Sequence, residues 1–173
     1  MCEQIYFPFA GPEPARRRNA HVGFVAEEMG LELVERPRIR GPVLNRPELV
    51  AQFLAGDLQW RPRQEKFFVL PLDRKNRSLG KYLLSVGTLT STVAHPREVF
   101  RVSIAAAAAA VIVAHSHPSG DPAPSAADVQ LTRQLRDAAK AVDIDLIDHV
   151  ICGSVDCDPR GVGWYSFRQA GVI

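Results

Sequence analysis

The chain's 173 residues, 46% of them apolar and 23% charged, suffice for one globular domain with a real core and an appendage, and leave no room for a second large domain. A run of roughly 18 or more apolar residues is absent, and the opening MCEQIYFPFAGPEPARRR lacks the basic start, apolar stretch and cleavage site of a secretory signal, so a cytoplasmic protein with no membrane partner is expected. The three cysteines, Cys2, Cys152 and Cys157, have no disulfide-framework spacing, and the net charge of +2 leaves only weak, sequence-independent nucleic-acid binding as an expectation.

Residues 1–44 read as an N-terminal extension that mixes proline and arginine around a helix-like piece, HVGFVAEEMGLELV, which the prolines of RPRIRGP bring to an end. Residues 1–81 carry 14 Lys+Arg against 10 Asp+Glu. The clusters Arg16–Arg18 and Arg36, Arg38 and Arg40 suit either a solvated tail or contact with a nucleic acid or acidic partner. A compact domain is expected over 45–173, starting with a short helix in NRPELVAQFLAG, where Asn45 is placed to cap and Pro47 falls in the first turn.

EKFFVLPLDRKNRSLGKYLLSVG predicts two strands around a turn at Asp73–Asn76, with Pro71 pointing to an edge or a bulge because it lacks a ladder donor. A helix follows in HPREVFRVSIAAAAAA, with His95 read as a capping or surface residue. Next come a short buried strand, VIVAH, an amphipathic helix in SAADVQLTRQLRDAAKAV with Leu131, Leu135 and Ala138 or Ala139 on one face, and a strand in IDLIDHVIC. The order implies an α+β fold, a mixed sheet flanked by helices.

His115 and His117 end the VIVAH strand. Alternate side chains of a strand share a face, roughly 6 to 7 Å apart along the backbone, so both imidazoles can reach one ion. The stiff loop PSGDPAP leads to Ser125, the natural N-cap of the next helix, and Asp128 lies in that helix's first turn. Two imidazoles, one carboxylate and an open fourth position describe a catalytic zinc site, where the ion acidifies water and polarises a carbonyl, so hydrolysis is implied. The same residues also fit a capping box, with Ser125 as cap and Asp128 complementing the helix dipole. Spacing leaves both readings standing.

The series His115, His117, Ser125, Asp128 reproduces the motif of the JAMM/MPN+ metalloprotease superfamily. SVGTLTSTVAHPREVF, VIVAHSHPSGDPAPSAADVQLTRQL, IDLIDHVICG and YSFRQAGVI resemble the JAB domain of bacterial RadC-like proteins, from about residue 46 to the end. The resemblance implies a JAMM/MPN-type, cytidine-deaminase-like fold with Zn2+ on His115, His117 and Asp128. It further implies Glu65 as the general acid–base acting through the water, Ser125 as a hydrogen-bond donor to the oxyanion, and a peptide or ubiquitin-like protein substrate. Ser116 replaces the asparagine of many RadC-like sequences, between the ligands and pointing away from the metal. Residues 1–44 do not resemble the helix-hairpin-helix region of longer RadC proteins, which weakens a DNA-binding role. Two alternatives accompany the hydrolase reading: a DNA-repair or mobile-element factor acting through nucleic acid, and a non-catalytic MPN-type scaffold, disfavoured because all five positions are filled. Asp148 and His149 are expected to make strand-edge hydrogen bonds rather than act in catalysis, and Cys152 and Cys157 lack zinc-knuckle spacing.

Overall fold

A computed structural model describes residues 20–27, 30–37, 41–58, 64–87 and 94–173, with side chains from residue 41 onward. The chain divides into two units, Met1–Arg38 and Ile39–Ile173. In the first, strands β1 (Ala20–Glu27) and β2 (Gly30–Pro37) pair antiparallel from Ala20↔Pro37 to Glu27↔Gly30. The piece read as helix-like is therefore a hairpin. Gly23 and Gly30 are poor helix formers, and Val22, Val25 and Val34 favour extended backbone. The Arg16–Arg18 cluster lies outside the described residues, as does the segment 88–93 within SVGTLTSTVAHPREVF.

The second unit is α+β: helices α1 (Pro47–Leu54), α2 (Pro96–Ala105) and α3 (Ala126–Val142) flank a five-stranded mixed sheet. Its strands are β3 (Glu65–Leu72), β4 (Tyr82–Gly87), β5 (Ala110–Ser116), β6 (Asp145–Cys152) and β7 (Trp164–Ser166), in the spatial order β4-β3-β5-β6-β7. Only β5 and β6 are parallel, and α3 forms the crossover between them. The central strand β5 is buried at every position, which is why AVIVAHS shows no alternation. One face of the sheet packs Phe68, Leu70, Ile112, Ala114 and Val150 against Val50 and Leu54 of α1. The opposite face packs Phe67, Val69, Val111, Val113 and Leu146 with Val99 and Phe100 of α2 and Leu135 and Ala139 of α3. Leu135 is fully buried, and its truncation to alanine would cost about 2–5 kcal/mol.

Three local expectations change. The N-cap of α1 is Arg46 rather than Asn45, with no side-chain cap, because Pro47 takes the first helical position. Pro71 sits neither on an edge strand nor in a bulge: β3 is interior, and Pro71 pairs with Val111. Its carbonyl accepts from Leu79 N (2.8 Å) on the side of the β3–β4 connection, beyond the last β4 pair at Val69↔Tyr82, so the donor it lacks is not needed by a strand. The short β7 beside β6 has only three residues, too few to show a period. The helix in the alanine run ends at Ala105, and Ala110 already belongs to β5.

Among the described residues no helix is long and apolar enough to cross a membrane. Cys152 is buried and its thiol is pushed up to about 12 by that burial, whereas Cys157 is exposed. Iodoacetamide at pH 8 should therefore label Cys157 in the native protein and leave Cys152 unmodified until the domain unfolds. Peptide mapping reads this, and labelling of Cys152 at the rate of Cys157 without denaturant would contradict the burial.

Candidate metal centre

The β5 strand presents His115 on the α3 face, and His117 continues from its end with the same parity. Two contacts hold the following loop. Gly120, at φ 79°, donates to the His117 carbonyl (3.0 Å), and its own carbonyl accepts from Ser154 N (2.7 Å). Residue 153 must be glycine for this approach, because a Cβ there would lie 2.3 Å from the Gly120 oxygen. The loop thus leans on the β6–β7 connection, and Asp121 is delivered with its carbonyl 2.9 Å from His117 Nδ1.

The loop ends in the predicted cap. The Ser125 hydroxyl accepts from Asp128 N (3.2 Å), and Asp128 Oδ2 accepts from Ser125 N (2.7 Å) and Ser125 Oγ (2.6 Å), a complete capping box. Oδ1 turns to His115, 3.2 Å from its Nε2, and Oδ2, although engaged by the cap, lies 3.5 Å from His117 Nε2. The two Nε2 atoms are 3.1 Å apart, and one donor atom from each of His115, His117 and Asp128 falls within 4.8 Å of the others. The capping and metal readings therefore describe the same carboxylate, with Oδ2 held by the cap and both oxygens facing a histidine.

The donor set fits a cation. His117 Nδ1 faces a carbonyl, which only accepts, so the neutral ring carries its proton there and leaves a lone pair on Nε2. His115 Nδ1 is taken up by His149 Nε2 at 2.9 Å, and its Nε2 faces Asp128. No lysine or arginine among the described residues forms an ion pair with Asp128. Burial opposes ionisation of Asp128, but close contact with the His115 and His117 rings, the charge of His115 and the Ser125 hydroxyl outweigh it and hold the carboxyl far below the usual carboxylate range. Burial likewise opposes a charged His117, yet Asp128, the Asp121 carbonyl and Glu65 raise its pKa. Two imidazoles and a carboxylate with room for a fourth ligand suit a transition metal.

Glu65 opens β3, whose register sets Phe67 opposite His115, and its Oε1 lies 3.9 Å from His115 Nε2 on a partly exposed side chain. All five positions named from the sequence thus meet at one place. His95 does not join them: it caps α2, accepting Arg97 N at Nδ1 (3.1 Å). Ser116 is buried with its hydroxyl unpartnered among the described residues. The expectation for Asp148 and His149 needs revision, because they occupy opposite faces of β6. Asp148 Oδ2 accepts from Ser166 Oγ (2.6 Å) and Oδ1 from Arg168 N (3.0 Å), and burial raises its pKa against those bonds. His149 is fully buried against His115, and burial, reinforced by the charge of His115, pushes its pKa well below the ordinary value. Thr132, which the sequence reading passed over, touches His149 through Oγ1 at 2.7 Å.

Residues 44–172 match the family model of the RadC-like JAB domain. A UPF0758 protein of Thermosynechococcus vestitus is 39% identical over 154 residues, covering 89% of this chain and 59% of that protein. A UPF0758 protein of Cyanothece sp. is 40% identical over 152 residues, 88% of this chain and 60% of the relative. One from Desulforamulus reducens is 42% identical over 128 residues, 74% of this chain and 56% of the relative. The chain therefore spans less than two thirds of the length of these relatives.

Purified protein should take up about one divalent transition-metal ion per chain, measured by elemental analysis after dialysis. His115→Ala or Asp128→Ala should abolish most of that uptake and His95→Ala should leave it intact. Equal metal content in all three variants would refute the ligand set. Because the pKa of His117 is raised, protons compete for its ring, so metal affinity should weaken as pH falls from about 8 to about 6.

Proposed function

The chain belongs to the RadC-like JAB domain family, within the MPN/JAMM superfamily, and from that premise we propose that it is a zinc-dependent hydrolase of the JAMM type, a metalloprotease or isopeptidase. The observation that carries this reading is the partly exposed carboxylate of Glu65 beside three convergent metal-donor atoms. A structural zinc site would close all four positions with protein ligands, whereas here three residues leave one position open next to a free carboxylate. That arrangement also favours an enzyme over a scaffold.

His115, His117 and Asp128 would hold the ion. When bound, zinc supplies Lewis acidity, bringing the ionisation of water towards neutral pH and polarising a carbonyl. Glu65 takes a proton from water as its oxygen bonds to the carbonyl carbon. The same carboxyl then returns the proton to the amide nitrogen as the carbon–nitrogen bond breaks, leaving a carboxylate and an amine. Ser125 is placed to donate to the developing oxyanion, which requires its hydroxyl to turn from Asp128 Oδ2. Amide bonds of peptides, or isopeptide links to a ubiquitin-like protein, are the substrate class we propose.

The test is a panel of peptides and ubiquitin-like fusions with protein stripped by chelator and reloaded with zinc. Cleavage should vanish on stripping and return with zinc. Glu65→Gln should keep its zinc and lose turnover by about 100-fold or more. Wild-type turnover in that variant would move the general base to another residue. Binding to DNA at physiological salt should be micromolar or poorer, roughly, because few phosphates can be neutralised. Tight DNA binding that survives zinc removal, with no cleavage across the panel, would overturn the hydrolase reading.

A further inference from the structure

We infer that His149, itself oriented by Thr132, is a positioning residue for the metal centre: it accepts the Nδ1–H of His115 and so fixes the tautomer and ring plane that present His115 Nε2 to the ion. The inference rests on the proposed role of His115 as a metal ligand.

The proton order can be read from the far end of a chain of three hydrogen bonds. Thr132 lies on α3, one turn after Asp128, and its Oγ1 is 2.7 Å from the Asp128 carbonyl. A carbonyl only accepts, so the single hydroxyl proton of Thr132 points there, the usual back-bond of a helical threonine. Thr132 Oγ1 must then accept from its other neighbour, His149 Nδ1 at 2.7 Å. With its proton on Nδ1, a neutral His149 has a lone pair on Nε2, which accepts from His115 Nδ1 at 2.9 Å. His115 therefore keeps its own lone pair on Nε2, the atom beside Asp128 Oδ1 and His117 Nε2. Each step has one proton and one acceptor, and the chain runs from the backbone of one ligand residue to the ring of another.

The surroundings fix the rings as well as the protons. Phe167 stacks on His149 with centroids 4.8 Å apart and planes 13° apart, and Phe67 stacks on His115 at 5.8 Å and 8°. Phe167 is held in turn because Asp148 binds Ser166 Oγ and Arg168 N on either side of it. A bulge accounts for the two uses of adjacent residues. β5 and β6 pair Val111↔Leu146 and then Ile112↔Asp148, so Ile147 is the extra residue, and beyond it the parity of β6 is reversed. That reversal turns His149 to the face of His115 and sends Asp148 to the other. Partners that orient a ligating histidine are commonly carboxylates or carbonyls, and their loss weakens metal binding by about 10–100-fold. Here the partner is a second imidazole.

The experiment is zinc affinity by competition with a chromophoric chelator, for wild type, His149→Phe, His149→Gln and Thr132→Val, with thermal unfolding of each stripped protein measured in parallel. Phenylalanine can stack on Phe167 but cannot accept, so His149→Phe should bind zinc about 10–100-fold more weakly. Glutamine can accept through Oε1 and donate through its amide nitrogen, so His149→Gln should recover most of the affinity. Thr132→Val should weaken it in the same direction by a smaller factor. A merely structural role would lower the melting temperature of the stripped protein without altering affinity, and glutamine would rescue no better than phenylalanine. A folded His149→Phe protein with wild-type zinc affinity overturns the inference. If that variant fails to fold, Thr132→Val and 15N chemical shifts of the wild-type histidines decide. A His115 ring protonated at Nδ1 upholds the relay, and one protonated at Nε2 overturns it. A wild-type protein that binds no zinc would overturn the proposed hydrolase, and the 15N shifts would still decide the proton order on their own.

Discussion

One donor atom from each of His115, His117 and Asp128 converges within 4.8 Å of the others, and lone pairs that close repel unless a proton or a cation lies among them. Each of the three residues is held by a separate device. The strand end supplies parity for the two histidines. A loop pinned through Gly120 and Gly153 turns the second ring by its Nδ1. A helix cap occupies one carboxylate oxygen so that the other faces inward. Electrostatic repulsion among the acceptors is relieved when a metal, or in part a proton on His117, takes the shared position.

The sheet is organised around that need. Its central strand is buried along its whole length, and the α1 face of the sheet packs apolar side chains such as Phe68, Leu70, Ile112, Ala114 and Val150, with Asp148 hydrogen-bonded beside them. The α3 face begins as the same kind of surface with Val111, Val113 and Leu146 and changes character at the carboxyl end of β5, where Phe67, His115, His149 and Phe167 stack together. Burying imidazoles among phenylalanines is tolerable only when every ring nitrogen has a partner. The hydrogen bonds to Thr132 and between the two rings meet that condition for both nitrogens of His149 and for Nδ1 of His115, whose Nε2 faces Asp128.

What could be read from the chain follows the range of the interactions. His115, His117, Ser125 and Asp128 lie within fourteen consecutive residues joined by one strand end, one loop and one cap, all of them local structures with residue preferences. Their association was legible from spacing, although spacing alone could not separate metal ligand from helix cap, because Asp128 closes the cap and faces both histidines with the same carboxylate. Glu65 is 50 positions from His115 and was legible only through resemblance, since pairing of β3 with β5 brings it near. The place of His149 beside His115 is not legible locally, because simple alternation from Leu146 would put residue 148, not 149, on the α3 face. The extra residue Ile147 reverses that count, and a bulge leaves no signature in IDLIDHVIC. Pro71 misled for a related reason: its missing donor depends on where β4 stops pairing, and local sequence does not contain that.

The shared use of Asp128 bears on how Ser125 can act in the proposed reaction. Its hydroxyl has one proton, and that proton lies on Asp128 Oδ2 at 2.6 Å, so donation to an oxyanion means giving up this bond. The carboxylate is not then released, because Ser125 N still donates to the same oxygen at 2.7 Å and the helix N-terminus still favours a negative charge there. The doubled bond of the capping box therefore separates two tasks. The backbone N–H keeps the carboxylate facing His115 and His117, while in the proposed reaction the hydroxyl would exchange one anionic acceptor for another as charge develops on the substrate. A threonine could do the same, whereas an alanine would keep the bond from its backbone N–H to Oδ2 and lose both the movable bond and the cap bond from Asp128 N. That asymmetry is what would let a helix cap, a structural device elsewhere, serve in the proposed reaction.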